Sequence, residues 1–207
     1  MSTFAWGRRC VRSPDAGPAE LLAALAEGLS ALGVPWFLFG AQATILWGRP
    51  RLTADVDVTV QLDVENVPRL VDVLKTRGFQ PRVDVNGDFV RRTRVLPLLY
   101  SPNGLPLDVV LAGPGLEQVF LGRAVRVRIG DVDVPVISPE DLITAKILAG
   151  RPKDLEDVRG VLRERLDRLD LEIIRSTLRE LDQALSRSDL IACLETELAR
   201  AQGRRTP

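Results

Sequence analysis

Residues 54–60, ADVDVTV, alternate strictly between apolar and polar side chains. Successive side chains of a β-strand point to opposite faces, so this alternation predicts a strand. The three valines fall on one face, and Asp55, Asp57 and Thr59 fall on the other. The segment is therefore predicted to form a strand with an acidic face.

The acidic face suggests metal-dependent chemistry. Carboxylates two residues apart on a strand have Cβ atoms roughly 6–7 Å apart, so Asp55 and Asp57 can hold the same ions. Phosphoryl-type transfer uses such a pair, because one cation neutralises a triphosphate while a second, about 3.5–4 Å away, lowers the pKa of the attacking hydroxyl. A solvated face of an antiparallel strand carries the same pattern, so the pair alone leaves both interpretations open.

The chain contains no histidine. This excludes Ser-His-Asp and Cys-His catalysis and most transition-metal sites. Metal chemistry must then rest on carboxylates, and oxygen-only ligation suits hard cations, above all Mg²⁺. The two cysteines, Cys10 and Cys193, lie near opposite ends without CxxC spacing, so neither a disulfide framework nor a zinc site is indicated.

A third carboxylate, Asp108, interrupts the otherwise apolar segment LPLDVVLAG. Burying a carboxylate without a partner is costly, so Asp108 is expected to face either a cation or an arginine. If its strand neighbours the strand of Asp55 and Asp57, three carboxylates converge. Asp108 would then bind the catalytic ion and draw the proton from an acceptor hydroxyl. A structural Asp–Arg pair is the alternative.

A glycine turn precedes the acidic strand. The segment VPWFLFG predicts a short buried strand that ends at Gly40, and a helix is expected to begin at Ala41. Backbone N–H groups at a helix N-terminus attract phosphate, and glycine permits a close approach, although an ordinary strand-to-helix turn has the same pattern. Arg49 and Arg51 can hold phosphate or an acceptor, and Thr53 can support the strand edge.

The remaining pattern predicts an α+β fold in three parts. Residues 1–17 lack periodicity and are expected to be flexible, whereas residues 18–137 form the core. In that core we expect a helix ending at Gly33, further strands in 79–111 separated by an Asn86-Gly87 turn, and a hairpin over AVRVRIGDVDVPV. Residues 138–207 are expected to be a helical domain that Ser138 caps, with three more helical stretches over 152–204.

These motifs together carry a resemblance. Gly40-Ala41, then Gly48-Arg49-Pro50-Arg51-x-Thr53-x-Asp55-x-Asp57, then Asp108, resemble the DNA polymerase β-like nucleotidyltransferase superfamily, and within it the AbiEii-like and related minimal nucleotidyltransferases. The segment VPVISPEDLITAKILAGRPKDLEDV is similar to the entry of those proteins into their helical domain. The resemblance spans about residues 34–160.

The resemblance implies a nucleotidyltransferase-fold mixed β-sheet with flanking helices, followed by a C-terminal helical domain. It implies that Asp55, Asp57 and Asp108 bind two Mg²⁺ ions, and that the turn at Gly40 holds the nucleoside triphosphate (NTP) substrate. The implied reaction transfers a nucleoside monophosphate to tRNA, a protein or a small molecule, in a toxin-like or stress-defence role with a possible cognate antitoxin. Many family members have Gly-Ser at the turn, and Ala41 offers no hydroxyl, so a non-catalytic binding or regulatory protein is the alternative.

The resemblance also assigns phosphate binding to Lys146, which projects from a largely apolar helix face. A triphosphate can satisfy its ammonium. Solvent, or pairing with Asp154 or Asp157, is the alternative, and those two aspartates are expected to be structural.

The net charge does not indicate a particular class of binding partner, because 28 acidic and 28 basic side chains balance. Arginines crowd at two places, which a solvated surface explains better than a nucleic-acid site: Arg91, Arg92, Arg94, Arg123, Arg126 and Arg128. Aromatic residues make up only 5%, so no base-stacking platform is indicated. The chain has neither an apolar stretch of about 20 residues nor a signal-peptide pattern, and a cytoplasmic protein with no membrane partner is expected.

Overall fold

The computed structural model describes residues 16–49, 53, 55–84 and 87–203. Residues 1–15 of the predicted flexible segment, Arg51 and Asn86 lie outside the described residues. The first helix already begins at Ala16, two residues before the predicted start. No helix in the described ranges is long and apolar enough to cross a membrane.

The centre of the fold is a seven-stranded mixed sheet with the strand order β3-β4-β5-β2-β1-β7-β6. Strand β2 pairs antiparallel with β1 and parallel with β5, and β1 pairs parallel with β7. The pairs β3–β4, β4–β5 and β6–β7 are antiparallel. The strands are β1 (Trp36–Phe39), β2 (Val56–Val60), β3 (Phe79–Pro81), β4 (Val95–Tyr100), β5 (Leu105–Leu111), β6 (Val125–Ile129) and β7 (Val132–Val136).

Helices flank the sheet and fill the C-terminal part of the described chain. Two short 3-10 turns, Val64–Asn66 and Leu166–Arg168, adjoin them. The helices are α1 (Ala16–Leu32), α2 (Gly40–Trp47), α3 (Val67–Lys75), α4 (Gly87–Thr93), α5 (Leu116–Arg123), α6 (Pro139–Ala149), α7 (Pro152–Arg165), α8 (Leu171–Ala184) and α9 (Leu190–Ala201).

The alternation predicted for residues 54–60 is seen only in part, because Thr59, predicted on the same face as Asp57, is buried as the valines are. Val56, Val58 and Val60 have no exposed surface, whereas Asp57 is half-buried. Asp55 lies just before the strand and is exposed. The valines belong to a core shared with α1, α3 and the buried residues of β5. The opposite face of β2, which carries Asp57, is therefore the one available for a functional site.

Helix boundaries follow the local signals. Gly33 ends α1 in a left-handed conformation, with φ +64°. The hydroxyl of Ser138 accepts a hydrogen bond from the backbone N–H of Asp141 at 3.0 Å, Pro139 occupies the first turn of α6, and Gly150 ends the helix at φ +65°. Helices α7, α8 and α9 follow, in agreement with the three further helical stretches expected from the sequence.

Helices α4 and α5 were not predicted. The Asn86-Gly87 pair reads as a hairpin signal between two strands, but the chain from Gly87 to Thr93 is helical and β4 starts only at Val95. Both helices are short, at 7 and 8 residues. Helices of this length depend on tertiary contacts rather than on local propensity, which is why periodicity does not reveal them.

The C-terminal helices are joined to the sheet through α2. The indole Nε1 of Trp47 donates to the carbonyl of Ile137 at 2.7 Å. The guanidinium of Arg165 lies 4.7 Å from the centre of the Trp47 ring and donates through Nε to the Trp47 carbonyl at 2.9 Å. These contacts hold α7 beside the C-terminal end of α2.

Candidate active site

Asp57 and Asp108 lie directly opposite each other on neighbouring strands. The parallel pairing of β2 with β5 places the Cα of Asp57 in register with that of Asp108. Residues paired in this way point to the same face of a sheet. Both side chains are half-buried, so the two predicted acids meet on one partly exposed face.

The turn between β1 and α2 is built around Asp57. Gly40 has φ +63°, a conformation that favours glycine. A Cβ atom at this position would lie 2.1 Å from Oδ2 of Asp57, so a side chain would collide with the carboxylate. The backbone N–H of the next residue, Ala41, donates a hydrogen bond to Asp57. The turn therefore holds the carboxylate through backbone atoms, and the missing hydroxyl of Ala41 does not enter this contact.

The surroundings of Asp57 raise its pKa above the ordinary value. Burial is the largest cause, and the negative charges of Asp108 and Asp55 add to it. The hydrogen bond from Ala41 and the positive charge of Lys146 act in the opposite direction and do not outweigh them. The charges of Asp108 and Asp55 thus disfavour ionisation of Asp57, and a cation placed among the three carboxylates would relieve this repulsion.

Asp108 has an arginine partner. The guanidinium of Arg82 donates through Nη2 to Oδ1 of Asp108 and forms an ion pair with it. Each of the two side chains is 35% exposed, so the pair stands at the surface of the site. This is the alternative that the burial argument left open for Asp108. The argument did not identify Arg82, because the pairing depends on strand register rather than on sequence spacing.

The remaining residues predicted around the acids lie close by in sequence. Asp55 is exposed and Thr53 is half-buried, and both precede β2. No group of three or more metal-ligating side chains is arranged to hold an ion among the residues that are described. Arg82 holds one oxygen of Asp108 in this arrangement, and the three-carboxylate metal site stays a prediction.

The donor set nevertheless fits a hard divalent cation. Its atoms are carboxylate oxygens, which Mg²⁺ prefers. Asp57 and Asp108 are in register, and the electrostatic repulsion that raises the pKa of Asp57 comes from the other two acids.

Lys146 is buried between two aspartates. Its ammonium lies 3.2 Å from Oδ1 of Asp154 and 2.7 Å from Oδ2 of Asp157. All three side chains are at most 10% exposed. The structure thus shows the pairing that was the alternative to phosphate binding for Lys146, while the charge of the ammonium still acts on Asp57. Phosphate binding by Lys146 stays a prediction.

Arg151 is a basic residue near the acids that sequence reasoning did not select. It precedes α7, and its Nε donates to Oδ2 of Asp154 at 2.6 Å, while its side chain is 75% exposed. The contact with Asp154 raises the pKa of Arg151, and the charge of Asp57 adds to the increase. Burial alone would raise the pKa of Asp154, but the hydrogen bonds from Arg151 and Lys146 outweigh it and lower that pKa. Asp154 therefore connects the buried lysine to an exposed arginine near Asp57.

Solved structures of known proteins show the same fold. The solution structure of the antibiotic-resistance factor ANT(2'')-Ia matches with a TM-score of 0.55 at 16% identity, covering 83% of this chain and 96% of that one. Its crystal structure in complex with adenylyl-2''-tobramycin matches with a TM-score of 0.54 at 15% identity, covering 79% and 97%. An antigenic nucleotidyltransferase-like protein from Paracoccidioides brasiliensis matches with a TM-score of 0.54 at 22% identity, covering 86% and 91%. At these identities the likeness concerns the fold, and it confirms the predicted α+β nucleotidyltransferase architecture.

Comparison with curated proteins gave no match. A family model described as "Nucleotidyltransferase of unknown function (DUF6036)" matches residues 31–190. This confirms the predicted superfamily and an enzyme of the nucleotidyltransferase class, and it does not distinguish the AbiEii-like group, which stays a prediction. The matched range covers most of the chain and includes the aspartates, the glycine turn and the Lys146 cluster. The chain therefore belongs to the DUF6036 family of nucleotidyltransferases.

Proposed function

We propose that the protein uses Mg²⁺, bound by Asp55, Asp57 and Asp108, to transfer a nucleoside monophosphate from an NTP to an acceptor hydroxyl or phosphate. The observation that carries this proposal is the register of Asp57 with Asp108 beside the Gly40 turn. The arrangement places two acids from different strands next to backbone donors at the start of a helix. Such a turn can hold a phosphate close to carboxylate-bound cations.

The proposed reaction is a substitution at the α-phosphorus of the NTP. The acceptor oxygen forms a bond to this phosphorus while the bond to the bridging oxygen of the β-phosphate breaks, and pyrophosphate leaves with the electron pair. Asp108 is the residue proposed to draw the proton from an acceptor hydroxyl. When bound, Mg²⁺ would neutralise the phosphates and lower the pKa of that hydroxyl, and two ions are expected.

The chain supplies the positioning groups. Gly40 lets the backbone approach the acids, and Ala41 fixes Asp57 through its N–H. We propose that Arg151 binds the triphosphate, because its guanidinium is exposed and is close enough to Asp57 for the charge of that carboxylate to act on it. Arg49, also exposed, contacts Glu164 at 3.5 Å and can orient phosphate or acceptor at the other end of α2. Arg51, outside the described residues, and Thr53 keep their predicted supporting roles.

Candidate acceptors come from a structural neighbour and from the family resemblance. One structural neighbour was solved with adenylyl-2''-tobramycin, so a hydroxyl of a small molecule is one candidate. The resemblance to AbiEii-like proteins adds tRNA or a protein and a toxin-like or stress-defence role with an antitoxin. Arrested growth on expression of the wild-type chain, but not of Asp57→Ala, would support that role.

The reaction can be tested with each of the four NTPs carrying a labelled α-phosphate. Purified protein and Mg²⁺ would be incubated with total cellular RNA, with total protein and with an aminoglycoside panel. We expect label in one acceptor class with the wild type and none with Asp57→Ala. Asp72→Ala provides a control, since that aspartate is exposed on α3. Among the described residues, its one ion pair is with Lys75.

A second candidate function, NTP binding without transfer, is favoured by the Arg82 contact, which occupies an oxygen of a proposed catalytic acid. Calorimetry separates the two. Binding of NTP and Mg²⁺ without any labelled product would support the binding protein. Absence of both NTP and Mg²⁺ binding would refute the proposed enzyme.

A further inference from the structure

Arg82 continues the pairing of β3 with β4 by one residue. Its backbone N–H donates to the carbonyl of Pro97 at 3.0 Å, and Pro97 is in register with Asp108 on the next strand. Asp108 is in turn in register with Asp57. Arg82, Pro97, Asp108 and Asp57 therefore form one row across four strands, which we call the Arg82 row.

The length of the arginine side chain matches its place in this row. Neighbouring strands are about 4.8 Å apart, so Arg82 must span roughly 10 Å between backbones, over the intervening strand, to reach Asp108. Pro97 occupies the intervening position and is buried. Its ring is short, so it does not block the Arg82 side chain where that side chain passes over β4. Only a long side chain at position 82 can make this contact, which distinguishes Arg82 from a surface arginine that happens to lie near an acid.

The contact is also one that a ligand can replace. Both side chains are 35% exposed, and ion pairs at such sites are weak and screened by solvent. A guanidinium stays charged at all relevant pH values, so Arg82 cannot leave by losing a proton. Another cation that neutralises Asp108 can take its place, and a divalent ion carries twice its charge.

We propose that Arg82 is a positioning residue that holds Asp108 until a divalent cation displaces it, and that the displaced guanidinium then binds the triphosphate. This inference rests on the proposed function. Arg82 lowers the affinity of the empty site for cations and raises its affinity for the NTP once a cation is bound. Its removal thus has opposite effects on the two ligands, which a purely structural role would not produce.

The first test uses Mn²⁺ alone, titrated without nucleotide and followed by electron paramagnetic resonance. We expect Arg82→Gln to bind Mn²⁺ about three- to tenfold more tightly than wild type, because the competing charge has gone. In an Asp108→Asn background the same substitution should have a much smaller effect, since no pair is left to break. Arg179→Gln, at an exposed position of α8, should leave Mn²⁺ binding unchanged.

The second test measures ATP binding by calorimetry at saturating Mn²⁺. We expect weaker binding by Arg82→Gln than by wild type, and an intermediate affinity for Arg82→Lys, which keeps a charge without the planar fork. Circular dichroism of each variant checks folding. If Arg82→Gln does not fold, Arg82→Lys still has to show tighter Mn²⁺ binding than wild type, because an ammonium makes a poorer pair with Asp108.

The outcomes separate this inference from the proposed function. If Asp57→Asn weakens Mn²⁺ binding while Arg82→Gln leaves it unchanged or weaker, the metal site stands and the role of Arg82 is refuted. If neither Asp57→Asn nor Asp108→Asn affects Mn²⁺ binding, the proposed metal site itself fails, and the inference fails with it.

Discussion

Replacement of Gly40 by alanine tests whether the turn is built around Asp57. The new Cβ would lie 2.1 Å from Oδ2 and 2.8 Å from Cγ of Asp57, distances at which atoms overlap. Because the Cβ is fixed by the backbone, the carboxylate must rotate away or the turn must shift. We therefore expect Gly40→Ala to abolish nucleotidyl transfer as well as to destabilise the fold.

The size of the effect follows from two contributions. A left-handed conformation costs a non-glycine residue about 1–2 kcal/mol. Rotation of Asp57 also breaks its hydrogen bond with the N–H of Ala41, and bonds to charged groups contribute about 1.5–3 kcal/mol. The free energy of unfolding should fall by about 2.5–5 kcal/mol. Gly33→Ala is a matched control, because Gly33 has φ +64° and its added Cβ would meet nothing within 4 Å; it should cost only about 1–2 kcal/mol.

Urea unfolding of the two glycine variants measures the difference, and a double variant locates it. Asp57→Ala removes Oδ2 and Cγ and leaves only the Cβ, at 3.0 Å from the new atom, so Gly40→Ala in that background should cost less than in wild type, although more than Gly33→Ala. Transfer of labelled nucleotide should survive Gly33→Ala and be lost in Gly40→Ala. Equal costs for the two glycine variants in the wild-type background, or an unchanged cost after removal of the Asp57 carboxylate, would refute the close approach as the reason for glycine.

Other predictions concern the charged groups around the site. Lys146→Met removes the ammonium that the buried carboxylates of Asp154 and Asp157 share, and it should lower the free energy of unfolding by about 3–5 kcal/mol in urea titrations, whereas the exposed Lys153→Met should change it by no more than about 0.5 kcal/mol. Arg151→Gln should raise KM for the NTP about tenfold in steady-state assays, through loss of a charged phosphate contact, with little change in stability because the side chain is 75% exposed. Asp141 is fully buried, and burial raises its pKa against the opposing contacts of its neighbours, so ionisation above the ordinary value of 3.8 costs the folded state stability. The contribution of Asp141 to the free energy of unfolding should therefore fall as the pH rises from 3.8 through the raised pKa, and the free energy of wild type relative to that of Asp141→Asn should fall over the same range; parallel profiles would contradict the shift.

The sequence was sufficient to predict the strand that carries Asp57 and the acid on a second strand, Asp108. Alternation with a period of two identifies the faces of β2, and the apolar surroundings of Asp108 show that it needs a charged partner. Which partner it has could not be predicted. Arg82 reaches Asp108 because β3, β4 and β5 pair in one particular register, and local sequence does not determine that register. The proposed metal site illustrates the same limit, because its candidate ligands can be identified from the sequence whereas the competing arginine cannot.

The basic groups nearest the acids already have acidic partners. Arg82 bonds to Asp108, while Lys146 and Arg151 share Asp154. An NTP arriving without a divalent cation would have to draw Arg82 from Asp108 and leave that carboxylate uncompensated beside Asp57, whose pKa is already raised by burial and by its acidic neighbours. With a cation present, Asp108 keeps a positive partner and the guanidinium is released to the phosphates. We therefore expect calorimetric ATP binding to be weak in EDTA and to strengthen with Mg²⁺ in wild type, and to depend much less on Mg²⁺ in Asp108→Asn, where no carboxylate has to be compensated. Equal affinities with and without Mg²⁺ in wild type would show that Mg²⁺ does not replace Arg82 as the partner of Asp108 when the nucleotide binds.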